Sequence, residues 1–312
     1  MHAISYETNL IMFDENKSEI SLTGVLALLI LTAGLGAIFW QANRSNSNGE
    51  TTLTRIQEAH TVRIGFANEA PYGYLDTSTG KVTGEAPEIA RAVLKRMGVE
   101  RVEPIVADFG SLIPGLKAKR FDLIAAGMYI TPQRAQEVAF SNPSYAIGES
   151  FIVKAGNPLK LHGYDDVRKN PKVKLGVMGG SVEQGYARDM GVDDNQVLVF
   201  SDYNSAILGL KGGQIDAVAA TDLTVNDLLQ KQASDEIEKA KDFQDPVIDG
   251  QTIRGYGAFG FRQEDVALRQ RFNEELAKFI GSPEHLQLVK EFGFDETTLP
   301  GDVTAKELSE AP

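Results

Sequence analysis

The sequence predicts an α/β protein of two lobes with like architecture, each a doubly wound sheet. Three observations carry the prediction. Short apolar runs that fit buried strands alternate with helically spaced segments over residues 53–154. A polar, loop-like stretch interrupts the alternation at 158–171, and the same alternation restarts at 174 and runs to 231. Strands alternating with helices build parallel sheets covered on both faces. Two such series separated by a break build two lobes.

Taken in order, 53–60 reads as a short helix and 62–66 as a strand. The turn 67–76 holds Glu69, Tyr72 and Tyr74 among Pro and Gly. Residues 84–98 space Ile89, Ala90, Val93 and Leu94 as one face of a helix. A strand at 102–107, a short helix at 109–117 and a strand at 122–126 follow. Next, Thr131-Pro132 is a helix start, with a hydroxyl at the N-cap and proline at the first helical position. Arg134 then falls in the first turn, where the positive end of the helix dipole disfavours a cation. A cation placed against that field points to an anionic partner.

The second series reads as strands at 174–178, 196–200 and 215–220, with helices at 181–190, 203–211 and 223–231. A strand at 255–261 and helices at 264–280 and 283–292 close the fold. The expected division is lobe 1 at 53–148 plus 255–296 and lobe 2 at 149–254. The polar tail 297–312 is expected to fray.

The 312 residues are 42% hydrophobic and 24% charged, an ordinary globular balance. A net charge of -12 argues against a general phosphate-binding surface and makes nucleic acid a poor partner. No cysteine is present, which removes disulfides, thiolate metal sites, a cysteine nucleophile and a lipid-modified cysteine together. The four histidines, His2, His60, His162 and His285, are scattered away from metal-ligand spacing, and no metal or cofactor is expected.

Ahead of the lobes, residues 21–40 carry no charge. Their length of about 20 residues is enough to span a bilayer, and Trp40 stands where an interfacial aromatic anchors. The segment reads as a transmembrane anchor or a signal segment. The preceding residues 1–20 are acidic on balance and no clean A-x-A site follows, which favours the anchor. Either one exports the rest of the chain. Residues 41–52, rich in Ser, Asn and Gly, form a flexible linker.

Candidate site residues gather at strand ends, where open α/β sheets bind ligands. GVMGGS at 176–181 matches neither G-x-G-x-x-G nor a G-K-[ST] ending. It is either a plain tight turn or a place where glycines and free N–H groups receive a carboxylate. Tyr72, Tyr74, Phe109 and Tyr129 are core or rim packing taken singly. Four aromatics at equivalent ends favour a cage for a cation, each face contributing roughly 0.5–2 kcal/mol. Glu69 offers a carboxylate to the same cation, or is simply solvated. Thr221-Asp222 caps a helix. Arg134 either pairs with Glu137 or Asp108 or clamps a carboxylate with its planar fork.

These residues carry a family resemblance. AGMYITPQRAQEVAFSNPSY, at 126–145, resembles the AGxxxTxxRxxxxxFSxPY block of the polar amino-acid family of ABC-transporter solute-binding proteins, with Ser144 as one extra residue. SLIPGLKAKRFDLIAAG and ILGLKGGQIDAVAATD are similar to the family's two GL…G..DAV segments, and the match covers most of 61–293. The resemblance implies a type II periplasmic-binding-protein fold, two lobes joined by a two-stranded hinge near 146–154 and 247–257. It implies an extracytoplasmic monomer that closes on a small zwitterion and hands it to ABC permease subunits. Carried over by position, Arg134 holds the ligand carboxylate, and Gly127, Tyr129 and Ser181 line the cleft. Thr221 stands where the family's aspartate meets an α-ammonium, unless Asp222 takes that part. NEAPYGYLD, TGEAPEIARAVLKRMG and GMYITPQRA look like the ectoine/hydroxyectoine-binding subgroup. There a loop glutamate and aromatic faces hold a delocalised cation, and Glu69, Tyr72, Phe109, Tyr129 and Arg134 occupy matching places. Glutamine or histidine is the alternative ligand. Some members of this fold act as dehydratases, but no histidine, cysteine or lysine–glutamate pair is placed for such chemistry, and no enzymatic activity is expected.

Overall fold

The computed structural model describes residues 51–310. Segment 1–20, the anchor or signal segment 21–40 and nearly all of the linker 41–52 lie outside the described residues. Among the described residues, no helix is long and apolar enough to cross a membrane.

Helix α1 (Thr52–Ala59) begins at Thr51, whose side chain accepts from the N–H of Thr54. The first lobe continues with β1 (Thr61–Phe66), the hairpin β2 (Tyr74–Asp76) and β3 (Lys81–Thr83), α2 (Glu85–Arg96) and β4 (Arg101–Val106). Then come α3 (Leu112–Lys117), β5 (Leu123–Tyr129), α4 (Pro132–Ala135), β6 (Ala139–Phe140) and β7 (Tyr145–Ile147). The second lobe runs β8 (Glu149–Lys154), α5 (Tyr164–Lys169), β9 (Leu175–Met178), α6 (Val182–Asp189), β10 (Val197–Phe200) and α7 (Tyr203–Lys211). It ends with β11 (Ala217–Thr221), α8 (Asp222–Gln232), β12 (Ile237–Lys239) and the hairpin β13 (Val247–Ile248) and β14 (Gln251–Thr252). The chain returns to the first lobe as β15 (Gly255–Phe261), α9 (Val266–Phe279), α10 (Pro283–Val289) and α11 (Ala305–Glu310).

The first sheet is ordered β4-β1-β5-β15-β6, with β7 also on β15. The second is ordered β10-β9-β11-β8-β12. In each, three neighbouring strands are parallel, as the alternation requires. Each sheet is completed by antiparallel strands, so neither is wholly parallel. The physical reason lies in the connections. β8 and β15 enter their sheets by crossing from the other lobe, without a helical crossover to reverse their direction. Between β7 and β8 the crossing is Gly148 alone, since Tyr145–Ile147 pair with β15 and Glu149 onward with β11.

Parallel strands buried on both faces carry near-continuous apolar runs, and β5 shows it: only Gly127 is not fully buried. α2 buries Ile89, Ala90, Val93 and Leu94 against this lobe, beside Phe272 and Phe279 of α9. Each of the larger of these side chains contributes roughly 1.5–3 kcal/mol. A second cluster runs through both lobes, from Leu112, Phe121 and Ile124 through Phe109, Met178 and Tyr203 to Ile207 and Val218. The lobes are therefore closed upon each other. The tail departs from the fraying expected of it. Ala305 and Leu308 pack on the apolar cluster, and the N–H of Ala305 donates to Asn142 Oδ1 at 3.2 Å. Two apolar residues in a polar tail anchor α11 against α4.

Candidate ligand cleft

The ends of β1 and β5 on one lobe face the ends of β9 and β11 on the other. After β1, the loop folds back with Glu69 and Gly73 exchanging both backbone hydrogen bonds, at 2.9 Å each. That small bridge fixes Glu69 and Tyr72 at the cleft. β5 ends in Gly127, Met128 and Tyr129. Gly127 has φ +62°, and a Cβ there would meet the Tyr72 ring at 2.5 Å, so only glycine fits. Tyr145 stacks on Tyr72 at 5.3 Å and donates its hydroxyl to Gly127 O at 2.8 Å.

Thr131 caps α4 by accepting from the N–H of Arg134. The helix has no acidic residue in its first turn. Arg134 instead spans the cleft, with Nη1 donating to Tyr129 O at 2.8 Å and Nη2 donating to Gly180 O at 2.9 Å. Its guanidinium lies 5.4 Å from the Phe109 ring centroid. Burial holds its pKa below the usual guanidinium range. GVMGGS forms a tight turn, with the N–H of Ser181 donating to Met178 O. It also forms cleft wall, since its Gly180 carbonyl receives the arginine. Gly180 has φ +80°, and a Cβ on it would come within 2.6 Å of Gly110 Cα on the other lobe.

A hydroxyl relay joins the lobes deeper in. Tyr72 donates to Thr221 Oγ1 at 2.7 Å, Thr221 donates to Thr224 Oγ1 at 3.1 Å, and Thr224 donates to Glu69 Oε1 at 3.0 Å. Thr221 also caps α8. Burial, helped by the charge of Glu183, pushes the Glu69 carboxyl up to about 8 against the opposing hydrogen bond from Thr224. Glu69 is thus neutral at pH 7 in this closed arrangement.

An inner chamber of about 20 Å³ is lined by Glu69, Tyr72, Phe109, Gly127, Tyr129, Arg134, Ser181 and Thr221. These are eight of the ten residues expected at the site. Tyr74 is not among them. It borders an outer chamber of about 770 Å³, where Lys231 lies 4.8 Å over its ring. Opening the β2 strand aims it there, one residue beyond the bridge that turns Tyr72 inward. Asp222 also falls outside. As the first residue of α8 it points away from its capping neighbour, into an ion pair with Lys239 and a hydrogen bond from Asn226.

Sequence reasoning passed over Met178, Val182, Glu183 and Tyr203, which line the same chamber. Glu183 carried a signal of a kind: it follows the glycine turn at the start of α6. An acid in a first turn complements the helix dipole, so the position looked ordinary. Among the described residues, no cluster of His and carboxylates could hold a metal ion.

Residues 62–295 match the model of the bacterial extracellular solute-binding proteins, family 3. A probable amino-acid ABC transporter periplasmic-binding protein of Sinorhizobium fredii is 39% identical over 264 residues, 83% of this chain and 86% of that protein. The lysine/arginine/ornithine-binding periplasmic protein of Escherichia coli is 30% identical over 247 residues, 74% of this chain and 87% of that one. Among solved structures, EhuB in complex with hydroxyectoine superposes with a TM-score of 0.75 at 34% identity, covering 84% of this chain and 98% of its own.

Proposed function

Because the chain belongs to family 3 of the bacterial extracellular solute-binding proteins, we propose that it captures ectoine or 5-hydroxyectoine for uptake by an ABC permease. The observation that carries this reading is the pairing of one arginine with an aromatic wall. Arg134 stands on one side of the chamber, with Tyr72, Phe109, Tyr129 and Glu69 around it. Ectoine joins a carboxylate to a ring cation of spread charge. Such a cation suits π faces better than a compact aspartate pocket, and Thr221 supplies no carboxylate.

In this mechanism Arg134 exchanges the carbonyls of Tyr129 and Gly180 for the ligand carboxylate, a charge-assisted pair in a dry site. The aromatic faces hold the ring, and Glu69 gives up its proton to meet the cation. A chamber of about 20 Å³ takes one water. Capture therefore requires the lobes to part about Gly148 and the return segment 240–254, then close over the solute. The likeness to EhuB supports the ligand class. The protein acts as an extracytoplasmic monomer, tethered through residues 21–40. Intact mass of the mature protein checks the tether, and a chain lacking those residues removes it.

A second reading, an amino acid with a cationic side chain, is favoured by the surplus of carboxyls around Arg134. Titration calorimetry with ectoine, 5-hydroxyectoine, arginine, glutamine and histidine decides between the two. Binding of an ectoine with little heat from the amino acids is expected. Micromolar binding of an amino acid with no heat from either ectoine sinks the first reading.

A further inference from the structure

The second-lobe wall holds an acid pair that the zwitterion grip leaves unused. Glu183 of α6 is 2% exposed and Glu149, the first residue of β8, is 5% exposed. Their carboxyl groups lie within hydrogen-bonding reach of each other. Both oxygens of Glu149 and Oε2 of Glu183 nevertheless have no donor. The Tyr129 hydroxyl, 3% exposed and lining the same chamber, is unpartnered too.

The groups facing the pair explain why. They are Asp245 from the return segment, Glu69 from the loop after β1, Tyr186 of α6 and Arg134 of α4, with the Ser181 hydroxyl beside Glu183 as the nearest neutral donor. Tyr164 of α5 is also close. Arg134 is the one cation among them, and two of its donors are already given to backbone carbonyls. Burial, and for Glu149 the charge of Glu183, pushes both carboxyls up, which favours one proton shared between them. One shared proton satisfies the contact between the two groups and leaves acceptor oxygens bare. A buried acceptor without a donor costs free energy unless something supplies one.

We propose that Glu183, positioned by Glu149, is a specificity residue that accepts a hydrogen bond from an O–H or N–H group the zwitterion head does not supply. The inference rests on the zwitterion reading of the cleft and adds to it. On the ectoine reading that donor is the ring hydroxyl of 5-hydroxyectoine. On the amino-acid reading it is a side-chain cation.

Calorimetry on the wild type, Glu183→Met and Glu183→Gln, each checked by far-UV circular dichroism, tests it. The wild type is expected to bind 5-hydroxyectoine about tenfold tighter than ectoine, the worth of one well-placed hydrogen bond. Glu183→Met should bring the two affinities together, with Glu183→Gln, which keeps one acceptor, in between. Absence of the preference in the wild type, or its survival in folded Glu183→Met, overturns the proposal. If Glu183→Met does not fold, an unchanged preference in Glu183→Gln overturns it and a reduced one supports it. If neither ectoine binds, the proposed function falls and the same variants are read with arginine against glutamine. Loss of the arginine preference then upholds the subsite, and its retention removes it. No binding of any of the four sinks both. For Glu149, the readout is the pH at which the preference is half lost. Glu149→Gln is expected to move it, and an unmoved profile takes Glu149 out of the proposal.

Discussion

On the first lobe the cleft wall is aromatic and carries its cation, and among its fully buried polar atoms the Tyr129 hydroxyl alone lacks a partner. On the second lobe it is glycine turn, hydroxyl and carboxylate, and several of its buried oxygens have none. On the proposed reading the first wall holds a zwitterion by charge and π faces, and the second closes over it and tests what else it carries. The division means that affinity and discrimination are open to separate disruption.

The largest effect is expected from the first wall. Arg134→Ala should weaken any carboxylate ligand by at least about a hundredfold, since a buried charge-assisted pair is lost. Calorimetry showing retained affinity would break the assignment of the clamp. Next, the double variant Phe109→Leu with Tyr129→Leu should cost ectoine on the order of tenfold or more. If a folded double variant binds ectoine as the wild type does, the aromatic wall is packing alone.

The pH dependence sharpens the contrast between the walls. Glu69 is raised from 4.5 to about 8, so its contribution to the closed, ligand-free form is fully present below about 4.5. It is lost as pH rises through about 8, so the ligand-free protein should melt at a lower temperature at pH 8.5 than at pH 5. A ring cation restores the charge, so its binding should release a proton between those values and tighten about fiftyfold from pH 6 to 8. Calorimetry in two buffers of different ionisation enthalpy counts that proton; equal heats would refute the role given to Glu69. The smallest effect belongs to Glu85, at the start of α2 and off the cleft. Burial raises it to about 8, with only the Ser144 hydroxyl opposing. Glu85→Gln should therefore lift the melting temperature by a few degrees at pH 8.5 and leave it unchanged at pH 5. A gain at both values would mean packing, not charge.

The same contrast explains what could be read from the sequence. The first wall is written in short segments: Thr131-Pro132 sets the helix start, and Arg134 follows at a position the dipole disfavours. The alternation of strand and helix is likewise local, and it gave the two lobes. Glu149 and Glu183 become a pair only when β8 and α6 are brought together across the second lobe, which no spacing encodes. Tyr74 and Asp222 stand outside the inner chamber by the same logic in reverse. Each neighbours an inward residue, and a turn or one helical step sends its side chain elsewhere. Antiparallel β8 and β15 follow from crossings between lobes, a property of topology and not of any run of residues. The tail was misjudged because Ala305 and Leu308 are too few to show against its polar composition.

The contact between Gly110 and Gly180 brings main chain against main chain across the cleft. Gly180→Ala is expected to prop the lobes apart, and small-angle scattering with saturating ligand should then show a larger radius of gyration than the wild type. An unchanged radius would dismiss the contact as a stop. Since backbone has one thickness whatever the solute, the shut form has a single outline for every cargo. A transporter that reads that outline receives a yes-or-no message, and all choice among solutes is completed before the door meets its frame.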